Sequence, residues 1–258
     1  MIAKLIARGV RAVLDEMGYV LWKKDFLQYG ISVYDDIARL NRAWDRSVST
    51  FFDVGANVGQ TTREALRRFP SARVYAFEPH PTSFRELAAI KDDRLSAHQL
   101  ALGERSGNAT LYQYGEAGDG SLINSLVRDA RFPTQLGHRP KKEVDVACST
   151  VDDFCLEHGI ESIDILKLDT EGSELAVLKG AERMLASGRC SYVYTEFNEL
   201  QPQPRTTGGA LIPISDLLAQ FGLRYVATYT DFVLPNGGMH VCANALFALP
   251  STRSLEQP

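Results

Sequence analysis

A short apolar strand that ends in an acid, then passes through two glycines into a helix, constrains this chain more than any other feature. It reads FFDVGANVGQTTREAL, residues 51–66. In open parallel sheets, ligands bind beyond the carboxyl ends of the strands, and Asp53 is placed at such an end. Gly55 and Gly59 let the backbone turn sharply and approach a ligand closely. The spacing is D-x-G-x-N-x-G. A nicotinamide fingerprint, G-x-G-x-x-G, needs a glycine where this chain has Asn57, because the backbone there touches a pyrophosphate. The loop therefore favours a ligand without pyrophosphate.

A second carboxylate follows at the right separation. Glu78 ends the next strand, in YAFEPHP. A carboxylate there can accept hydrogen bonds from both hydroxyls of a ribose. Pro79 and Pro81 stiffen the exit and hold it in place. The plainer alternative is a helix-capping acid placed before Pro81.

Strands and helices alternate around these two segments. Strands are expected at Thr50–Val54, Arg73–Phe77, Leu95–Leu100, Ile163–Leu168, Tyr192–Glu196, Leu223–Thr228 and Ala243–Leu249. Helices are expected at 33–44, Thr61–Arg68, Thr82–Ile90, 150–158, Glu174–Leu185 and 214–220. Such alternation implies parallel βαβ units with right-handed crossovers. The last two strands have no room for a helix between them and should pair antiparallel. Asn108–Tyr114 and Lys142–Ala147 read as further strands flanking a long polar loop. A loop of that length usually serves function, and Gly118, Gly120 and Ser121 make it a candidate lid.

Composition excludes several classes. The chain has 258 residues, 45% of them hydrophobic, enough for a core that needs neither disulfides nor metal. Its net charge is −4 and its basic residues occur at most in pairs, so no nucleic-acid partner is expected. Cys148, Cys155, Cys190 and Cys242 form no CxxC pair and have no histidine at ligand spacing. Free thiols in the cytoplasm are the expectation. The N-terminal stretch, residues 2–17, has apolar residues at helical spacing with Lys4, Arg8 and Arg11 between them, and no unbroken apolar run. It reads as a helix packed on the main domain, or as a basic amphipathic helix making weak contact with a membrane or partner.

The segments FDVGANVGQTT, FEPHPTSF, STVDDF and DILKLDTEGSELAVLKGA together resemble the signatures of the FkbM-type methyltransferase family. The resemblance covers roughly residues 50–248, and its fourth segment is the most specific. It implies a class I methyltransferase fold: α/β, a Rossmann-like, mostly parallel seven-stranded sheet with helices on both faces, plus N-terminal helices. The corresponding division is a helical extension over 1–45, a catalytic domain over 46–250 and a tail over 251–258. The resemblance also implies S-adenosylmethionine as methyl donor, held by Asp53, Gly55, Ala56, Asn57, Gly59, Glu78, Pro79 and Ala101. The implied reaction is O-methylation of a small-molecule or glycan hydroxyl. N-methylation of a peptide or amino sugar stays open, as does a non-catalytic module that only binds S-adenosylmethionine.

The chemistry is expected at IDILKLDTEGSE. Lys167 is the one basic residue of an apolar strand and shares a face with Asp169 two residues on. A buried unpaired charge is costly, so Asp169 and Glu171 are its natural partners. They could form an ion-pair network that only supports the sheet. The functional reading makes Asp169 the base that takes the acceptor's proton, with Glu171 next and Lys167 beside them. On the following strand Glu196 and Asn198 should lie beside Asp169, binding acceptor hydroxyls. Magnesium would suit such oxygen ligands but is not expected. Ser121 and His240 are further acceptor candidates. His80 adjoins the donor segment but reads as structural. The acceptor's identity and the oligomeric state are not legible here.

Overall fold

The Phe51–Phe52 pair sets the plan of the molecule, because successive strand residues face opposite sides of a sheet. In the computed structural model, which describes residues 10–11, 13–19, 28–114, 124–128, 139–198, 210–233 and 241–251, both phenylalanines are fully buried, one on each face. They lie on β1 (Thr50–Val54), an interior strand of a seven-stranded sheet. Its other strands are β2 (Arg73–Phe77), β3 (Leu95–His98), β8 (Ile163–Leu168), β9 (Cys190–Asn198), β10 (Arg224–Val233) and β11 (Val241–Ala248). The order is β10-β11-β9-β8-β1-β2-β3. The pairs β1/β2, β2/β3, β1/β8 and β8/β9 are parallel, whereas β11 runs antiparallel to both β9 and β10. This is the strand order of the class I methyltransferase fold expected from the sequence.

Helices cover both faces. Phe51, Ile165 and Tyr192, which are register neighbours, pack under α1 (Val33–Trp44) and α2 (Gln60–Arg68) through Val33, Ile37, Leu40, Ala65 and Leu66. Phe52, Leu166 and Val193 form the opposite row. They pack against α4 (Val151–Glu157), α5 (Glu174–Lys179), α6 (Glu182–Ala186) and α7 (Leu211–Gln220). Each such buried aromatic or aliphatic side chain contributes about 1.5–3 kcal/mol. Helix α3 (Pro81–Ala88) follows β2. Helix α1 is tied to the sheet by buried Asp36, which accepts from Gly30 N at 2.8 Å and from the Tyr229 hydroxyl at 2.7 Å.

The structure departs from the sequence reading in two places. The single helix expected over Glu174–Leu185 is broken into α5 and α6. At Gly180 a Cβ would lie 2.0 Å from the Gly103 carbonyl oxygen, so the chain is pressed against a neighbouring loop. Asp152 then starts the new helix by accepting from Arg183 N at 2.7 Å and Met184 N at 3.0 Å. The second departure is a separate four-stranded sheet of order β4-β7-β5-β6. It is made of β4 (Ala101–Leu102), β5 (Gly107–Gln113), β6 (Asn124–Ser125) and β7 (Lys142–Ser149). The expected strand over Leu95–Leu100 ends at His98, and the chain enters this second sheet three residues later, at Ala101.

Residues 10–11 and 13–16 are helical, and Val10, Val13 and Met17 are exposed. Among the described residues no helix is long and apolar enough to cross a membrane. Cys148, Cys155 and Cys190 are free thiols, as the spacing suggested.

Candidate active site

The carboxyl ends of β1, β2 and β8 meet where the strand order reverses, the place where open α/β sheets bind ligands. Asp169 N donates to Val54 O at 2.9 Å, and Gly55 N and Ala56 N both donate to Phe77 O at 3.0 Å. The three strand ends are thus laced together. Gly55 has φ +81°, and a Cβ there would lie 1.8 Å from the Asp169 carbonyl oxygen. Between these loops is a cavity of about 330 Å³, within the range that holds a small ligand.

On one side the cavity is lined by Gly55, Ala56, Asn57, Glu78, Pro79 and Ala101, all expected from the sequence. Glu78 is buried and accepts from Asn57 N at 2.9 Å through Oε2 and from His80 N at 2.8 Å through Oε1. It therefore supports the turn before α3 and faces the cavity at once. Burial pushes its carboxyl up to about 7 against these two amides. Asn57 takes the left-handed conformation at φ 50°, and its Oδ1 is buried without a partner.

On the other side the wall is Asp169, Thr170 and Glu171. Lys167 is buried, with its Nζ 3.0 Å from Asp169 Oδ2 and 3.1 Å from Leu168 O. Burial opposes its charge. Asp169 first, then Asp53 and Glu196, outweigh that, and the ammonium's pKa is raised. Asp169 keeps 42% of its side chain exposed, so it is the ion-pair member that an acceptor can reach. Glu171 has φ 56° and an Oε2 buried without a partner. Burial, then Asp169 and Glu174, push its carboxyl up to about 8. Glu196 is raised well above the carboxylate range by burial, then by Asp169 and Glu171. Carboxylate oxygens of Asp169, Glu171 and Glu196 lie within 4.8 Å of one another. Three oxygens at that spacing could also take a hard cation, although Lys167 already supplies a positive charge at Asp169.

Some expected residues stand elsewhere. Asp53 is buried outside the cavity wall, accepting from Thr62 Oγ1 at 2.5 Å and paired in register with Lys167. Gly59 starts α2 and is likewise outside the wall. Asn198 ends β9, two residues past Glu196. His80 is buried, with Nε2 3.4 Å from Gln113 Oε1. Gly118, Gly120, Ser121 and His240 lie outside the described residues. Of the lining residues that sequence reasoning missed, Leu111 and Asn124 come from the small sheet and Leu126 from just after it. No local motif marks them.

Residues 53–224 match the family model described as the methyltransferase FkbM domain. The chain belongs to the FkbM methyltransferase family. It is 28% identical over 182 residues to 2-O-methyltransferase NoeI of Sinorhizobium fredii, covering 66% of this chain and 73% of that protein. It is 30% identical over 152 residues to 31-O-demethyl-FK506 methyltransferase FkbM of Streptomyces tacrolimicus, covering 51% of this chain and 58% of that protein. The chain thus spans about three-fifths of the length of the latter relative. Among solved structures it is similar to Aeropyrum pernix fibrillarin, crystallised with bound S-adenosyl-L-methionine. The TM-score is 0.40 at 17% identity, covering 79% of this chain and 67% of that one.

Three acids in and beside the cavity have raised carboxyls, and this gives a stability prediction. Asp53, Glu78 and Glu171 have their carboxyls raised, chiefly by burial, to about 6, 7 and 8. Unfolded carboxyls titrate near 4. Between those limits the folded state binds more protons than the unfolded one, so stability falls as pH rises. This contribution is whole below about pH 4 and gone above about pH 8. Thermal melts of the ligand-free protein should show the melting temperature declining from pH 5 to pH 8. A rise over that interval would contradict the burial of these acids.

Proposed function

We propose that this chain is an S-adenosylmethionine-dependent O-methyltransferase acting on a hydroxyl of a sugar, glycolipid or secondary metabolite. The observation that carries the reading is one cavity with two unlike walls. Gly55–Asn57 and Glu78 form a nucleoside-type wall, and Asp169–Glu171 form an acidic wall across from it. The donor fits the first wall, since the bonded donors of Glu78 are backbone amides and its carboxylate has lone pairs left for the ribose hydroxyls. The orphaned Asn57 Oδ1 offers a further acceptor in the same wall. The free thiols fit a reducing cytoplasm.

Bound there, the cofactor supplies a methyl group on a sulfonium, which is already a good leaving group. The protein's task is to align the acceptor and remove its proton. Asp169 holds the hydroxyl and takes its proton as the oxygen–carbon bond forms, worth roughly 10²–10⁴ in rate. Lys167 holds Asp169 in place beforehand through its 3.0 Å hydrogen bond. Glu171, whose carboxyl is pushed up to about 8, can donate a hydrogen bond to another oxygen of the acceptor, and Glu196 stands beside it. A wall of carboxyl groups, which both donate and accept hydrogen bonds, suits a polyhydroxylated acceptor.

The experiment is mass spectrometry of the purified protein with S-adenosylmethionine and glycan, glycolipid and metabolite fractions. A one-methyl mass gain on a neutral product is expected. A methylated amine as product would overturn the O-methylation reading. Saturable NAD binding without S-adenosylmethionine binding would overturn the whole of it.

A substitution tests the donor wall. Glu78→Ala removes an acceptor of charge-assisted hydrogen bonds worth about 1.5–3 kcal/mol each. Calorimetry with S-adenosylhomocysteine should show at least about a tenfold loss of affinity. A folded variant with unchanged affinity would leave Glu78 only its support of the turn before α3.

A further inference from the structure

We infer that Glu174 is a positioning residue for methyl transfer, a carboxylate that holds the Asp169–Gly172 turn in the shape that presents both acids to the cavity. The inference rests on the assignment of Asp169 and Glu171 to the chemistry.

Glu174 is the first residue of α5 and is 1% exposed. Its Oε1 accepts from Thr170 N at 2.8 Å, from Thr170 Oγ1 at 2.9 Å and from Gly172 N at 3.2 Å. Its Oε2 accepts from Gly172 N at 3.0 Å. One buried carboxylate thus ties down the residues on either side of Glu171. The turn needs such a hold. Glu171 sits at φ 56° and Gly172 at φ 107°, and a non-glycine residue in the left-handed region persists only where its surroundings over-determine it. From the other side, Ser125 Oγ on β6 donates to Glu171 O at 2.8 Å. The turn is clamped between the main sheet's helix and the small sheet.

A helix-capping acid with no bearing on catalysis would make some of the same bonds. The difference lies in what the turn carries. Asp169 and Glu171 lie on the cavity wall, with Thr170 between them, and catalytic groups misplaced by an ångström lose rate steeply. Glu174 also adds to the rise of the Glu171 carboxyl, after burial and Asp169; burial raises Glu174 too, and its hydrogen bonds from Thr170 and Gly172 oppose that rise. Glu174→Gln preserves shape but sets an amide N–H₂ against the Gly172 or Thr170 amide, donor against donor.

The test compares Glu174→Gln with the unmutated chain in three measurements: affinity for S-adenosylhomocysteine, turnover on the acceptor found by mass gain, and the ¹³C-carboxyl titration of Glu171. Expected are unchanged donor affinity, a kcat lowered tenfold or more, and a Glu171 midpoint displaced downward. A folded variant with unaltered kcat and Glu171 titration would overturn the inference. Thr170→Val, which deletes only the hydroxyl donor, covers the case in which Glu174→Gln does not fold. An at least threefold loss of kcat at normal donor affinity supports the positioning role, and unchanged kcat overturns it. If Asp169→Asn and Glu171→Gln also left turnover intact, the reading of the site itself would have failed, not only the role of Glu174.

Discussion

Asp169→Asn is expected to lower turnover by about 10²–10⁴, or roughly 2.7–5.5 kcal/mol of barrier, while donor affinity stays within about twofold. Asn has nearly the shape of Asp and its Oδ1 can still accept from Lys167 Nζ, but it cannot take the acceptor's proton. Losing one partner of a fully buried ion pair costs about 3–5 kcal/mol. Here the cost should be smaller, about 1–2 kcal/mol, because the Asp169 side chain is 42% exposed and Lys167 keeps the Leu168 carbonyl at 3.1 Å. The three roles open to Asp169 therefore separate. A base loses turnover with the fold intact, and a purely structural partner loses stability with turnover preserved in the folded fraction. A cation ligand makes the unmutated enzyme sensitive to chelator and restored by magnesium. A stable, donor-binding variant with near-normal turnover would remove every catalytic role proposed for this residue.

Gly55→Ala should be the most damaging small substitution in the site. The added Cβ would lie 1.8 Å from the Asp169 carbonyl oxygen, on a backbone at φ +81°. The left-handed conformation costs an alanine about 1–2 kcal/mol, and forcing the β1 and β8 ends apart adds about 1–3 kcal/mol or more. That movement also strains the Asp169 N to Val54 O bond that joins the donor wall to the acidic wall. A total of about 2–5 kcal/mol corresponds to a melting temperature lowered by roughly 5–15 °C. Donor affinity should fall with it, because the same loop forms the donor wall. A variant that melts within about 2 °C of the unmutated chain and binds S-adenosylhomocysteine normally would show that the two strand ends do not approach this closely.

Much of this is legible in the sequence. Central parallel strands are buried on both faces, so FFDV and IDILKL stand out as apolar runs whose interruptions, Asp53 and Lys167, mark special positions. Asn57 in place of a glycine separated this loop from a pyrophosphate binder. The pairing of Lys167 with Asp169 followed from the cost of an unpaired buried charge, and the structure places them 3.0 Å apart. These are local statements, fixed by residues within a few positions of one another.

What escaped the sequence depended on distant parts of the chain. Asp53 reads as a cavity acid, yet the alternation that sends Phe52 to one face sends Asp53 to the other, against Thr62 of α2 and beside Lys167 of β8. The break between α5 and α6 has no proline to announce it; it arises because Gly180 is pressed on Gly103, nearly eighty residues earlier. Leu111, Asn124 and Leu126 reach the cavity only because β5 and β6 fold into a second sheet over the strand ends. Glu174 looks like the opening acid of a helix until its carboxylate is seen holding Thr170 and Gly172. Sequence by itself determined the strands of the main sheet and the acids near their ends, because burial and backbone conformation act on neighbours along the chain. Tertiary structure decided which of those acids share a cavity, because that depends on strand order and on which face each side chain takes.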